Sequence, residues 1–158
     1  MKYIYLLIVT IFISSCSHKT AKAQSKFIIS GESQYNIENS LERMSVNLKK
    51  KNYSIVSVFD HEKEAIKLKE MLYPTKTLNI YNSKIATKMI SCNPSISMEF
   101  PIRVSLYNKI DGTTYFAYTD PEYWSLKHNI KDSECLKLII LIKHDLQEAT
   151  SLIKKKKE

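Results

Sequence analysis

Glycine and proline are scarce in this chain, with 2 and 4 among 158 residues. That excludes a glycine-rich phosphate loop and long flexible or proline-stiffened linkers. Arginine occurs only as Arg43 and Arg103, although the formal net charge is +8. Proteins that read bases or grip phosphate bidentately lean on the planar guanidinium. Here the charge is lysine, concentrated in Lys49-Lys50-Lys51 and Lys154-Lys155-Lys156-Lys157, and reads as solvated surface, with no nucleic-acid partner. No C-x-x-C pair occurs, no two of His18, His61, His128 and His144 have the spacing of a helical metal site, and no nucleophile elbow is present. Motifs therefore assign no metal, cofactor or catalytic residue. A run of about 20 apolar residues, the length that spans a bilayer, is also missing.

What the chain does have begins at its start. Lys2 precedes an apolar run over residues 3–13, broken only by Thr10. It is too short for a membrane anchor and has the length of a signal-peptide core. Ile13-Ser14-Ser15-Cys16 follows: an aliphatic residue, two small ones, then cysteine. This resembles the bacterial lipoprotein box. The resemblance implies that Cys16 is joined to diacylglycerol, becomes the first mature residue and is acylated on its amino group. Two or more acyl chains hold firmly where one does not, so the predicted partner is a membrane of the cell envelope. Ser17, in place of an aspartate, favours the outer over the inner membrane in a Gram-negative cell. A competing site, Ala21-Lys22-Ala23 before Gln24, has the small-x-small form, but lies ten residues beyond the apolar run, behind His18, Lys19 and Lys22. The predicted organisation is a leader over 1–15, a lipidated tether over 16–25, one domain over 26–154 and a basic tail over 155–158.

Within the domain, β-rich runs predict strands over 26–30, 53–59, 77–81, 103–107 and 114–118, the last two joined by a turn at Asp111-Gly112. Gaps of three and four between Ile37, Leu41, Met44 and Leu48 predict an amphipathic helix over 33–50, capped by Ser33 or Asn36. A second helix follows Asp60 and carries Ala65, Leu68 and Leu72; a third covers 84–91. Asp120-Pro121 opens a short one, Asp120 as cap. A long helix over 133–153 has Ile139, Ile140 and Leu141 widening its apolar face, which predicts deep burial or a shared interface. This order predicts an α+β fold: a two-layer sandwich of one mainly antiparallel sheet with helices on one face.

Four pieces of sequence in order resemble the DUF302 family, a bacterial domain of unknown function: Tyr81-Asn82-Ser83-Lys84-Ile85-Ala86-Thr87-Lys88-Met89, Phe100-Pro101 before a strand, Asp111-Gly112, and Tyr118-Thr119-Asp120-Pro121. Ser83 replaces the family's usual proline, Ala86 its glycine and Phe100 its leucine. The resemblance implies an α+β fold, often a homodimer, with no established activity.

Asn82, Lys84 and Thr87 sit where a strand opens a helix, and helix amides with a lysine can hold an anion. Arg103 and Tyr118, on neighbouring predicted strands, complete a candidate anionic-ligand pocket. Cys92 and Cys135, exported, can pair or remain separate thiols. The leading expectation is a lipid-anchored, non-enzymatic binding or interaction domain that self-associates through sheet edges or the last helix. The alternatives are an envelope enzyme or small-ligand binder using Asn82, Lys84 and Arg103, or a redox or metal-handling module using the cysteines and histidines. Mass spectrometry of the protein recovered from its host membrane is expected to find an acylated Cys16 at the amino terminus; a start at Gln24 or a retained Met1 would overturn the lipoprotein expectation.

Overall fold

The structure, a computed structural model, describes residues 27–156. The predicted leader, Cys16 and the tether lie outside the described residues. The elements are β1 (Ile28–Glu32), α1 (Ile37–Lys50), β2 (Ser54–Asp60), α2 (His61–Lys67), β3 (Thr75–Tyr81), α3 (Ser83–Cys92), a 3-10 helix (Pro94–Glu99), β4 (Ile102–Asn108), β5 (Thr114–Thr119), α4 (Glu122–Lys127) and α5 (Ser133–Ser151). The strands form one antiparallel sheet in the order β1-β5-β4-β3-β2, so the fold is α+β as expected.

Helix starts follow side-chain chemistry. Asn36, Asp60, Asn82 and Asp132 each stand just before a helix and accept a hydrogen bond from an amide of its first turn, satisfying a donor that has no partner inside the helix. Asn36, not Ser33, caps α1; the Ser33 hydroxyl instead lies 2.8 Å from that of Ser40, both buried. Asp120 accepts from the amide of Glu122.

Side chains alternate across a strand, and this puts Leu78, Ile80, Ile102, Val104, Leu106, Phe116 and Tyr118 on the covered face, all buried. The opposite face carries Thr77, Asn79, Arg103, Ser105, Ala117 and Thr119. Against the covered face lie α1, through Leu41, Met44 and Leu48, and α5, through Ile139, Ile142, Leu146 and Ala149, with Ile153 just beyond its end. Gly31 lies opposite Phe116 in the ladder, and a Cβ there would come within 2.7 Å of the ring. The other glycine, Gly112, takes a φ of 78° in the β4–β5 turn, a conformation that costs side-chain-bearing residues. Cys92, ending α3, is joined to Cys135 in the first turn of α5, with Cα atoms 6.3 Å apart.

One expectation needs correction. α2 stops at Lys67, and Lys69 turns the chain with a φ of 60°. Leu68 and Leu72 therefore lie beyond the helix, exposed, and no residue of α2 is buried. On α5, Ile140 and Leu141 face outward at 58% and 44% exposure, which argues against deep burial on all sides and is compatible with the other expectation, a shared interface. Lys155, at the start of the basic tail, is tied to β1: its amide donates to the Glu32 carbonyl and its ammonium meets the Glu32 carboxylate at 2.7 Å.

Leu146→Ala, which empties a fully buried site on α5, is expected to cost about 2–5 kcal/mol in urea unfolding. Met71→Ser, at a side chain almost wholly in solvent, is expected to stay within about 0.5 kcal/mol.

Candidate functional site

Two chain turns meet beside α5. At the end of α1, Asn52 adopts a φ of 62°, a left-handed conformation asparagine tolerates, and directs the chain into β2. At the end of β3, Asn82 ties the turns together: its Oδ1 accepts from the amide of Ile85 at 3.2 Å while its Nδ2 donates to the Lys51 carbonyl at 3.3 Å. Between them opens a cavity of about 430 Å³ lined by Asn82, Lys84, Lys88, Lys51 and Asp145, with Ile85, Leu138 and Leu141 as its apolar wall.

Its inner end is charged and internally satisfied. Asp145 is buried on α5, receives a hydrogen bond from the Tyr53 hydroxyl at 3.1 Å and pairs with the Lys51 ammonium at 3.0 Å. Lys51 also meets Glu148 at 2.9 Å. The hydrogen bonds that Lys51 donates to Glu148 and Asp145 outweigh partial burial and raise its ammonium above its ordinary value. Burial, with the charge of Asp145, pushes the Tyr53 phenol well up, so it stays a donor.

The outer rim is different. Lys84 and Lys88 stand four apart on α3, the spacing that places side chains on one helix face, and both line the cavity. Neither belongs to any ion pair among the described residues. Like charges at this spacing repel, and an anion between them relieves that repulsion. An anionic head at the lysines with an apolar tail on Ile85, Leu138 and Leu141 matches this surface.

The predicted site residues do not all converge. Asn82 and Lys84 are in the cavity. Thr87 is exposed on α3 and outside its lining. Arg103 is exposed on the open face of β4, in a shallow depression with Thr77, Ser105 and Thr119 that Tyr118 also borders, though its side chain is buried. Tyr118 is buried on the covered face. The expectation that Arg103 and Tyr118 join Asn82 is therefore corrected, and the cause is strand alternation: register pairs Arg103 with Asn79 and places Tyr118 beside Val104, on opposite faces. Lys51, Lys88 and Asp145 were missed. Lys51 looked like part of a solvated run and Asp145 like a polar position in a long helix; only the packing of α1 against α5 joins them.

A second polar cluster was also beyond sequence reasoning. Glu99, buried at the end of the 3-10 helix, accepts from His128 Nε2 and Lys127 Nζ, both at 2.7 Å. His128 Nδ1 lies 2.8 Å from the Ser95 hydroxyl. These residues are up to 33 positions apart, so no local spacing announces them. Among the described residues no group of His, Cys, Asp and Glu has the arrangement of a metal site, and no helix is long and apolar enough to cross a membrane.

The sequence profile of a family described as "Domain of unknown function DUF302" matches residues 29–151. The fold is similar to a crystal structure of an uncharacterised conserved DUF302 protein from Bacillus stearothermophilus, with a TM-score of 0.73 at 16% identity, covering 82% of this chain and 100% of that one. No curated protein shows significant sequence similarity.

Burial pushes the Glu99 carboxyl up, but the hydrogen bonds from Lys127 and His128 outweigh it and leave the group below its ordinary 4.5. A carboxyl lower in the folded state adds stability above its unfolded value, lost as pH falls through the folded one. Unfolding free energy is thus expected to drop with pH below about 4.5, and less steeply in Glu99→Gln. Lys51→Met, which strips Asp145 of its cation, is expected to cost on the order of 2 kcal/mol, below the roughly 3–5 of a fully buried pair because Lys51 is partly exposed.

Proposed function

The chain belongs to the DUF302 family, and from that premise and the geometry beside α5 we propose a lipid-anchored binding domain of the bacterial envelope that takes a small anionic, amphipathic ligand. One observation carries the ligand reading: Lys84 and Lys88, in no ion pair among the described residues, stand at the mouth of a cavity whose wall is Ile85, Leu138 and Leu141. A cavity of about 430 Å³ falls in the range that holds small ligands. The inner carboxylate is neutralised by Lys51, so the net field at the mouth is positive and favours an anion. Anchoring is supported by the leader and Ile13-Ser14-Ser15-Cys16. Self-association is supported by β2, an edge strand that leaves Val56, Val58 and Phe59 exposed. Arg103, on the other face, has no part in this site.

Laurate below its micelle concentration is the probe, with dodecanol as its uncharged counterpart, read by titration calorimetry. Laurate is expected to bind and dodecanol to bind more weakly. Lys84→Gln and Lys88→Gln are each expected to weaken laurate binding about tenfold, the worth of one charge-assisted hydrogen bond, while Arg103→Gln leaves it unchanged. Equal binding of the two probes, or loss with Arg103→Gln alone, would refute the reading.

A further inference from the structure

We propose that Ser95 is a nucleophile, activated by His128 and Glu99, that accepts the acyl group of small carboxylic esters. This site is separate from the lysine cavity and does not depend on that reading. The chain of contacts is complete: Ser95 Oγ to His128 Nδ1 at 2.8 Å, and His128 Nε2 to Glu99 Oε1 at 2.7 Å. Both lie within reach for proton transfer. The carboxylate of Glu99 only accepts, so Nε2 carries the ring proton and donates it. In the neutral imidazole Nδ1 then presents a lone pair, to which the Ser95 hydroxyl donates. That is the polarity a serine nucleophile requires: a base on its proton and a carboxylate orienting the base. The two ring nitrogens exchange the places they hold in the chymotrypsin arrangement, but the direction of proton flow is the same.

The burial gradient separates this from a purely structural clamp. His128 and Glu99 have side chains only 3% and 8% exposed, whereas Ser95 faces solvent. A clamp has no need to end on an exposed hydroxyl; a nucleophile does. The base is also held in place. Asn93 Nδ2 donates to the His128 carbonyl at 2.8 Å, and Asn93 Oδ1 accepts from the Ser95 amide at 3.0 Å, so one side chain fixes both the histidine and the serine. Lys127, on the same Glu99 oxygen, keeps that carboxylate charged. On a 3-10 helix residues three apart eclipse, which sets Met98, 68% exposed, beside Ser95 as an apolar shoulder for the acyl group.

The reaction balances without a cofactor. Ser95 Oγ forms a bond to the carbonyl carbon as its proton passes to His128 Nδ1. The carbon–oxygen bond to the leaving group then breaks, and that proton goes to the departing alkoxide. Water, deprotonated by the same nitrogen, releases the acid and restores the hydroxyl.

The test incubates the full chain with an alkyl fluorophosphonate, whose phosphorus takes the Ser95 oxygen and releases fluoride, and locates the adduct by peptide mass spectrometry. Labelling is expected at Ser95 and not at Ser97, an exposed serine on the same 3-10 helix. It is expected to vanish in Ser95→Ala and in the urea-unfolded chain, and to slow at least about tenfold in Glu99→Gln, since a positioned general base contributes roughly 10²–10⁴. p-Nitrophenyl acetate hydrolysis should follow the same order. Labelling of Ser95 no faster than Ser97, or equal in native and unfolded protein, would overturn the proposal. So would an unchanged rate in a Glu99→Gln variant whose circular dichroism is native. If that variant does not fold, the comparisons of Ser95 with Ser97 and of native with unfolded chain still decide.

Discussion

The period-two alternation of a sheet whose apolar face packs on α1 and α5 is the constraint on which the rest of this molecule depends. The three inner strands, β3, β4 and β5, send alternate side chains into the helix layer or to the opposite face, and a shift of one residue exchanges the two sets. Leu78, Ile80, Val104, Leu106 and Phe116 are buried by that rule, and α1 and α5 are held by what these side chains offer them. Polar chemistry in the helix layer must then come from where strands hand over to helices. Asn82 at the β3–α3 junction and Asn52 between α1 and β2 stand at such places, and the lysine cavity forms where they meet the side of α5.

The same rule explains what was legible in the sequence. Strand runs, helical spacing and the caps Asn36, Asp60 and Asn82 each signal locally, and the antiparallel sheet with helices on one face follows from their order. The glycine shortage is informative in the same way. Both glycines occupy positions a side chain fits badly: Gly31 under the Phe116 ring and Gly112 in the hairpin turn. Face assignment is a different kind of information. That Arg103 and Tyr118 lie on adjacent strands was readable; that they point apart depends on which residue pairs with which. α2 misled for a related reason. Leu68 and Leu72 continue a helical spacing, but spacing records only that residues would share a face, and here none of them is buried.

Lys51 illustrates how a charge run hides a specific residue. Lys49 and Lys50 are exposed at the end of α1, where cations suit the helix dipole. Lys51, the next residue, is the C-cap and turns toward α5 to meet Asp145 and Glu148. Composition cannot separate the three. The difference is the partner that α5 brings from almost a hundred residues away.

Two buried carboxylates then invite comparison. Each costs desolvation, and each is offset by a cation and a second donor: Lys51 and Tyr53 for Asp145, Lys127 and His128 for Glu99. Such pairs do little for net stability compared with apolar packing, so their worth lies in geometry. On its Tyr53 side the Asp145 arrangement is closed, since Tyr53 is itself buried and its phenol has no second partner among the described residues to pass a proton to. It fixes α5 against the start of β2 and shapes the inner end of the cavity. The Glu99 arrangement is open. Its second donor is an imidazole, whose far nitrogen can take or give a proton, and that nitrogen meets a hydroxyl at the surface. Identical electrostatic accounting thus gives an anchor in one case and a route to solvent in the other, and the difference is one side chain, a phenol against an imidazole.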